Sequence, residues 1–214
     1  GAMPWVWYAP TLRGLPGEAE KWMFERFLKA GIAIAGVDVG ESYGNPKGRA
    51  TYAALHQHLV EKHGLAKRFI IGNELQSHWY WYNLGEMPRQ QVVEDYHKAL
   101  RVAHLAAHGV HPEIQLYISL DHHWSTRVSE NPLHSMSGKY FIDTLNAIVR
   151  AGGNFDWHVA FHPYPENLFD PRTWEDTSAT SSFDTEKITL KNIELLPAYL
   201  RQKQFLYSGK QRRI

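Results

Sequence analysis

The sequence predicts an α/β fold, a strand–helix repeat around a mainly parallel sheet that is either open or completed by a second copy. Three observations predict it. Short apolar runs alternate with longer amphipathic segments along the 214 residues. The helical segments end on glycine: Gly31, Gly64, Gly109 and the Gly152-Gly153 pair. Residues able to do chemistry collect where the apolar runs finish, as expected of parallel strands whose carboxyl ends share one edge.

The elements follow in order. Residues 4–10 (PWVWYAP) read as a first strand, followed by a loop with Gly14, Pro16 and Gly17. Residues 18–30 form an amphipathic helix, with Trp22, Phe24, Phe27 and Leu28 near one face. Residues 32–39 are a continuous apolar run, the pattern of a buried parallel strand. Residues 41–48 are a loop by their Gly, Asn and Pro content, and 50–63 a second helix. Residues 69–73 are a third strand; Pro88 marks the start of a helix from 89 to 108. A fourth strand, 115–120, ends in Asp121-His122-His123-Trp124, and a loop through Pro132 leads to a helix over 139–151. A fifth, 157–161, ends in His162-Pro163-Tyr164-Pro165-Glu166. A long polar loop over 170–184 precedes a helix over 188–202 that Pro197 should kink. His97, His104, His108 and His111 mark a solvent-facing flank of the fourth-strand approach helix, beside a stripe of Val92, Tyr96, Ala99 and Ala103.

Composition narrows the function. Hydrophobic content of 43% with 21% charged residues specifies a soluble, folded chain. A net charge of +1 gives no electrostatic case for nucleic acid or an anionic membrane, and the basic cluster at 210–213 reads as a solvated end. No apolar run approaches the roughly 20 residues needed to span a bilayer, and no signal peptide is visible. Gly1-Ala2-Met3 has the form of a cloning remnant. The absence of cysteine excludes disulfides and thiolate metal sites. Eight Trp, 11 Tyr and 13 His suit a cleft in which rings stack on the apolar faces of sugars.

The strand ends carry Asp38 and Glu41, Asn73 and Glu74, Asp121 to Trp124, and His162 to Glu166. Residues 69–75 are the most informative. The apolar Phe69, Ile70 and Ile71 give way to Asn73 and Glu74, and His78, Trp79, Tyr80, Trp81 and Tyr82 follow at once. From Phe69 onward the chain resembles an uncharacterised bacterial family of glycosidase-like (β/α)-barrel proteins. The resemblance rests on the stretch from Ile71 to Glu86, on Tyr117-Ile118-Ser119-Leu120-Asp121-His122-His123-Trp124, and on the stretch from Trp157 to Phe169. It implies a partial barrel over 69–214, with Glu74 as general acid/base. The implied nucleophile strand begins only at Arg212-Arg213-Ile214. Residues 4–10 and the Gly36-to-Gly44 stretch are instead similar to the amino-terminal part of a serine α/β-hydrolase, which implies a fusion near Lys67 to Phe69. The expected organisation is therefore a 1–68 segment and a 69–214 segment sharing one domain.

These residues support several chemistries. Glycoside hydrolysis needs a carboxylic acid to protonate the leaving oxygen and a second carboxylate as nucleophile or base. Glu74 is the candidate acid, with Asn73 binding a sugar hydroxyl; Glu166 and Asp121, then Asp38 and Glu41, are the candidate second carboxylates. His78, Trp79, Trp81, His122, His123, Trp124, His162 and Tyr164 are the candidate saccharide-binding residues. No cofactor is required for that reaction. An alternative is metal-assisted ester or phosphoester hydrolysis, in which Asp121, His122, His158 and His162 hold zinc or manganese. His158 and His162 share a strand face, whereas His122 and His123 point apart. Ser42 superficially offers G-x-S-x-G, but no strand-to-helix elbow surrounds it. A further alternative is a saccharide binder without turnover.

Overall fold

The protein's structure, a computed structural model, describes residues 3–8, 15–40, 45–65, 67–82 and 84–214. The chain divides into two units, residues 1–67 and 68–214. Glu41 and Ser42 lie outside the described residues.

In the first unit β1 (Trp5–Trp7) pairs in parallel with β2 (Ala33–Ala35), and Val6 lies opposite Ile34. The crossover is α1 (Glu18–Lys29), whose start is closed by the Gly17 amide donating to Glu20 at 2.7 Å. Both strands are shorter than the apolar runs suggest. At the end of β2, Gly36 lets two segments touch: a Cβ there would lie 1.6 Å from the Tyr8 carbonyl oxygen. The expected stripe on α1 is only half correct. Phe24 and Phe27 are half-buried, but Trp22 and Leu28 are exposed. The following helix, α2 (Pro46–His63), starts inside the expected loop. Asn45 caps it by accepting from the Gly48 amide at 2.8 Å, and Pro46 supplies a φ already suited to a first helical turn.

The second unit is built on a three-stranded parallel sheet in the order β3 (Arg68–Ile71), β4 (Gln115–Asp121), β5 (His158–His162). Like the β1–β2 pair it is open, not closed into a barrel. Helix α3 (His78–Trp81) is a single turn after β3; α4 (Arg89–Val110) leads to β4 and α5 (Gly138–Ala151) to β5. Leu116, Ile118 and Leu120 share one face of β4. They belong to a buried cluster with Val92, Val93, Tyr96 and Leu100 of α4 and Phe141, Ile142, Leu145 and Val149 of α5. Each such side chain contributes about 1.5–3 kcal/mol by leaving water. Tyr117, Ser119 and Asp121 alternate onto the other face.

Several boundaries differ from expectation for local reasons. Helix α4 runs through Gly109, and His111 is extended because Pro112 follows it. Its histidine flank is not solvent-facing: His97 and His104 are half-buried, and His104 lies 4.6 Å from the Phe155 ring. The expected 188–202 helix is reduced to α6 (Leu195–Leu200), because Asn192 accepts from the Thr189 amide and forms a turn instead. Pro197 falls in the first turn of α6, where its missing N–H has no helical partner to lose.

In the basic 210–213 cluster Lys210 and Arg213 are exposed as a solvated end would be, but Arg212 is not. Arg212 is 1% exposed and lies over the Trp157 ring at 4.0 Å. Its guanidinium donates to the carbonyls of Phe155 and Trp157 and to Asn154 Oδ1. The next residue is tied to β5, for the Val159 amide donates to the Arg213 carbonyl at 3.0 Å. Arg212→Ala, which strands those acceptors, should lower the unfolding free energy by about 2–4 kcal/mol. Lys203→Ala, on the surface, should change it by less than about 0.5 kcal/mol. Urea denaturation of both variants measures the difference.

Candidate active site

Strand β3 stops abruptly. The Ile71 carbonyl is taken by the Tyr96 hydroxyl of α4 at 2.6 Å. Gly72 then adopts φ +83, where a Cβ would also press on Leu75 at 2.7 Å. Two residues later Glu74 itself is left-handed, with φ 40 and ψ 53. A non-glycine residue there costs roughly 1–3 kcal/mol unless its surroundings hold it. They do: the Glu74 amide donates to Ser119 Oγ at 3.1 Å, and its carbonyl accepts from the Ser77 amide at 2.8 Å.

The carboxylate that this turn delivers is 8% exposed overall and meets the last residue of β5. Glu74 Oε1 lies 2.7 Å from His162 Nδ1. The other imidazole nitrogen, Nε2, lies 3.4 Å from Ser119 Oγ, which is also 3.5 Å from Asn73 Oδ1. The Tyr164 hydroxyl is 3.3 Å from His162 Nδ1. Burial and the Glu74 charge push the Tyr164 phenol up to about 12, so it stays a donor. At 41% exposure Tyr164 forms the open wall of this group.

Asp121 ends β4 directly opposite His162 in the parallel register. Burial works to raise its carboxyl, but the ring and backbone N–H of His123, 2.9 and 2.7 Å from Oδ1, outweigh it and keep it low. Oδ2 accepts from Ser77 Oγ at 3.1 Å. His122 is buried, with its ring 4.2 Å from that of His123 and 5.8 Å, edge-on, from Tyr164. Burial, His123 and Lys187 hold its imidazole down to about 4 against the opposing pull of Asp121.

The expected metal set does not converge. His158 opens β5 and His162 closes it, so although they share a face they stand about 13 Å apart at 3.3 Å per residue. His158 Nδ1 accepts instead from the Arg213 amide. Among the described residues, Asp121, His122 and His123 form a group whose donor atoms lie within 4.8 Å of one another, a donor type that suits zinc or manganese.

Other candidates are redirected. Trp124 is 1% exposed, donates to the Phe183 carbonyl and packs edge-on against Tyr199, so it is core and cannot stack on a sugar. His78 is wholly buried, for the same consequence. Glu166 braces its own loop: it accepts from the Ser178 amide and hydroxyl and from Thr177, bonds that bring its carboxyl down to about 2. Trp79 is stacked on His134 at 3.9 Å and 36% exposed, and Trp81 is 57% exposed, so both remain available surfaces. Asp38, in the first unit, accepts from the Gly40 amide across a tight turn. Ser119 and Ser77 were not singled out by sequence. The available signal for Ser119 was its even spacing from Asp121, which puts both on one strand face.

The family described as a family of unknown function, DUF5722, matches residues 22–214, a span that includes the expected junction near Lys67 to Phe69. No curated protein and no solved structure matches the chain.

His122 makes stability pH-dependent. Its pKa falls on folding, so the unfolded chain takes up a proton before the native one does. Its contribution is complete above the ordinary imidazole value of 6.5 and is lost as the pH falls from there towards about 4. Thermal melts of His122→Asn over that range should therefore show a shallower loss of stability than the parent; equal slopes would refute the assignment.

Proposed function

The chain belongs to this family of unknown function, and we propose that it is a carbohydrate-active hydrolase in which Glu74 gives and takes the proton. The observation that carries this is the 2.7 Å contact of a buried, left-handed Glu74 with His162 at the shared carboxyl edge of the parallel sheet. Backbone strain of this kind is held where a side chain must be aimed. Cleaving a glycosidic bond requires a proton at the departing oxygen, and a fixed carboxyl supplies it. His162 engages Oε1, and the Tyr164 hydroxyl hydrogen-bonds the same carboxyl from its open side. Tyr164 and the Asn73 amide line the approach, and Trp79 and Trp81 offer aromatic faces to sugar rings. Asp121 is the second acid in this scheme. Held ionised by His123, it sets negative charge behind His162 and Tyr164, where positive charge at a reacting sugar would be favoured.

One observation favours a second reading, saccharide binding without turnover. Two of the candidate second carboxylates, Asp121 and Glu166, are both occupied by donors of their own. The test is a panel of aryl glycosides and oligosaccharides. Hydrolysis by the parent chain, lowered roughly 10²–10⁴-fold in kcat by Glu74→Gln, is expected. Turnover that survives Glu74→Gln sinks the assignment, and sugar binding with no turnover supports the second reading. Ester hydrolysis abolished by a chelator and restored by zinc or manganese would move the chemistry to Asp121, His122 and His123.

A further inference from the structure

We propose that Ser119 is a positioning residue for the Glu74–His162 pair: its hydroxyl donates to His162 Nε2 and so keeps the imidazole proton on Nδ1, facing Glu74. The assignment rests on Glu74 as the proton-transferring group, but its hydrogen bonding is testable without any activity.

Donor and acceptor counting leads to it. A carboxylate oxygen only accepts, so the nitrogen 2.7 Å from Glu74 Oε1 is the one that carries hydrogen. In a neutral ring the other nitrogen, Nε2, is then a bare acceptor. Ser119 Oγ stands 3.4 Å from it. That oxygen already accepts the Glu74 amide at 3.1 Å, and its single proton has two acceptors within reach, His162 Nε2 and Asn73 Oδ1 at 3.5 Å. Donation to Nε2 stabilises the neutral ring. A neutral ring hydrogen-bonds Glu74 without drawing off its proton, so the carboxyl can keep that proton for a substrate. Ser119 is fully buried in the middle of β4, so its hydroxyl exchanges only among these partners. The groups facing His162 are Glu74 and Tyr164 from the strand-end loops, and Ser119 and, across the register, Asp121 from β4.

The order of atoms, hydroxyl to imidazole to carboxylate, is that of a serine hydrolase. Burial separates the two cases. Ser119 has no exposed surface and its oxygen is tied to the Glu74 backbone, so no acyl group can reach it.

The experiment is ¹⁵N spectroscopy of the His162 ring in the full chain at about pH 8, well above the ordinary imidazole range. The parent should show a protonated Nδ1 and a bare, hydrogen-bonded Nε2. Ser119→Ala should move the Nε2 resonance downfield as that bond is lost, and Ser119→Thr should restore it. A protonated Nε2 in the parent overturns the proposal, even if Ser119→Ala fails to fold. So does an Nε2 resonance that ignores Ser119→Ala, or covalent labelling of Ser119 by a fluorophosphonate. On a cleaved glycoside, Ser119→Ala should lower kcat roughly tenfold to a hundredfold with KM unchanged. The Nε2 shift without any glycoside turnover would defeat the hydrolase reading alone.

Discussion

The register of three parallel strands is the constraint from which the site follows. Ile71 lies opposite Ile118 and Asp121 opposite His162. That alignment brings the turn after β3 beside Ser119 and lets β5 finish within reach of Glu74. The register is held from the other side of the sheet, where Leu116, Ile118 and Leu120 are sealed against the helices. Sliding β4 by one residue would turn Ser119 and Asp121 into that apolar layer and set Leu116, Ile118 and Leu120 among the polar groups of the strand ends, so the alternatives are closed by burial. Packing on one face thus fixes hydrogen bonding on the other.

Three carboxylates that look alike in sequence meet three different environments. Glu74 faces one imidazole and keeps an oxygen uncommitted to it. Asp121 is surrounded by donors and held as an anion. Glu166 is consumed by the loop it organises. The chemical capability of an acid is set by how many of its lone pairs the fold has already used.

That distinction marks the limit of what could be read in advance. The strand–helix alternation and the Asn73-Glu74 strand end were legible, because an apolar run cut off by polar residues reports a buried strand reaching an edge. The start of α2 was also written in the chain, in Asn45-Pro46, although loop composition masked it. Trp124 was not legible: a single aromatic after a strand can turn inward or outward, and here the Phe183 carbonyl and Tyr199 draw it inward. His158 and His162 illustrate a second gap. Period-two reasoning gives the face correctly but says nothing of distance along it. Ser119 illustrates a third, since a small residue inside a strand gains its meaning only from a partner on the next strand.

The left-handed backbone of Glu74 has one more consequence. At such a position glycine is at ease and glutamate is not, by roughly 1–2 kcal/mol. The backbone at residue 74 therefore favours glycine, and the 2.7 Å contact of the Glu74 side chain with His162 opposes that preference. A substitution to Gly at residue 74 would relax the backbone and at the same time leave His162 Nδ1 without its carboxylate partner. Backbone ease and side-chain contact pull in opposite directions at a single pair of backbone angles.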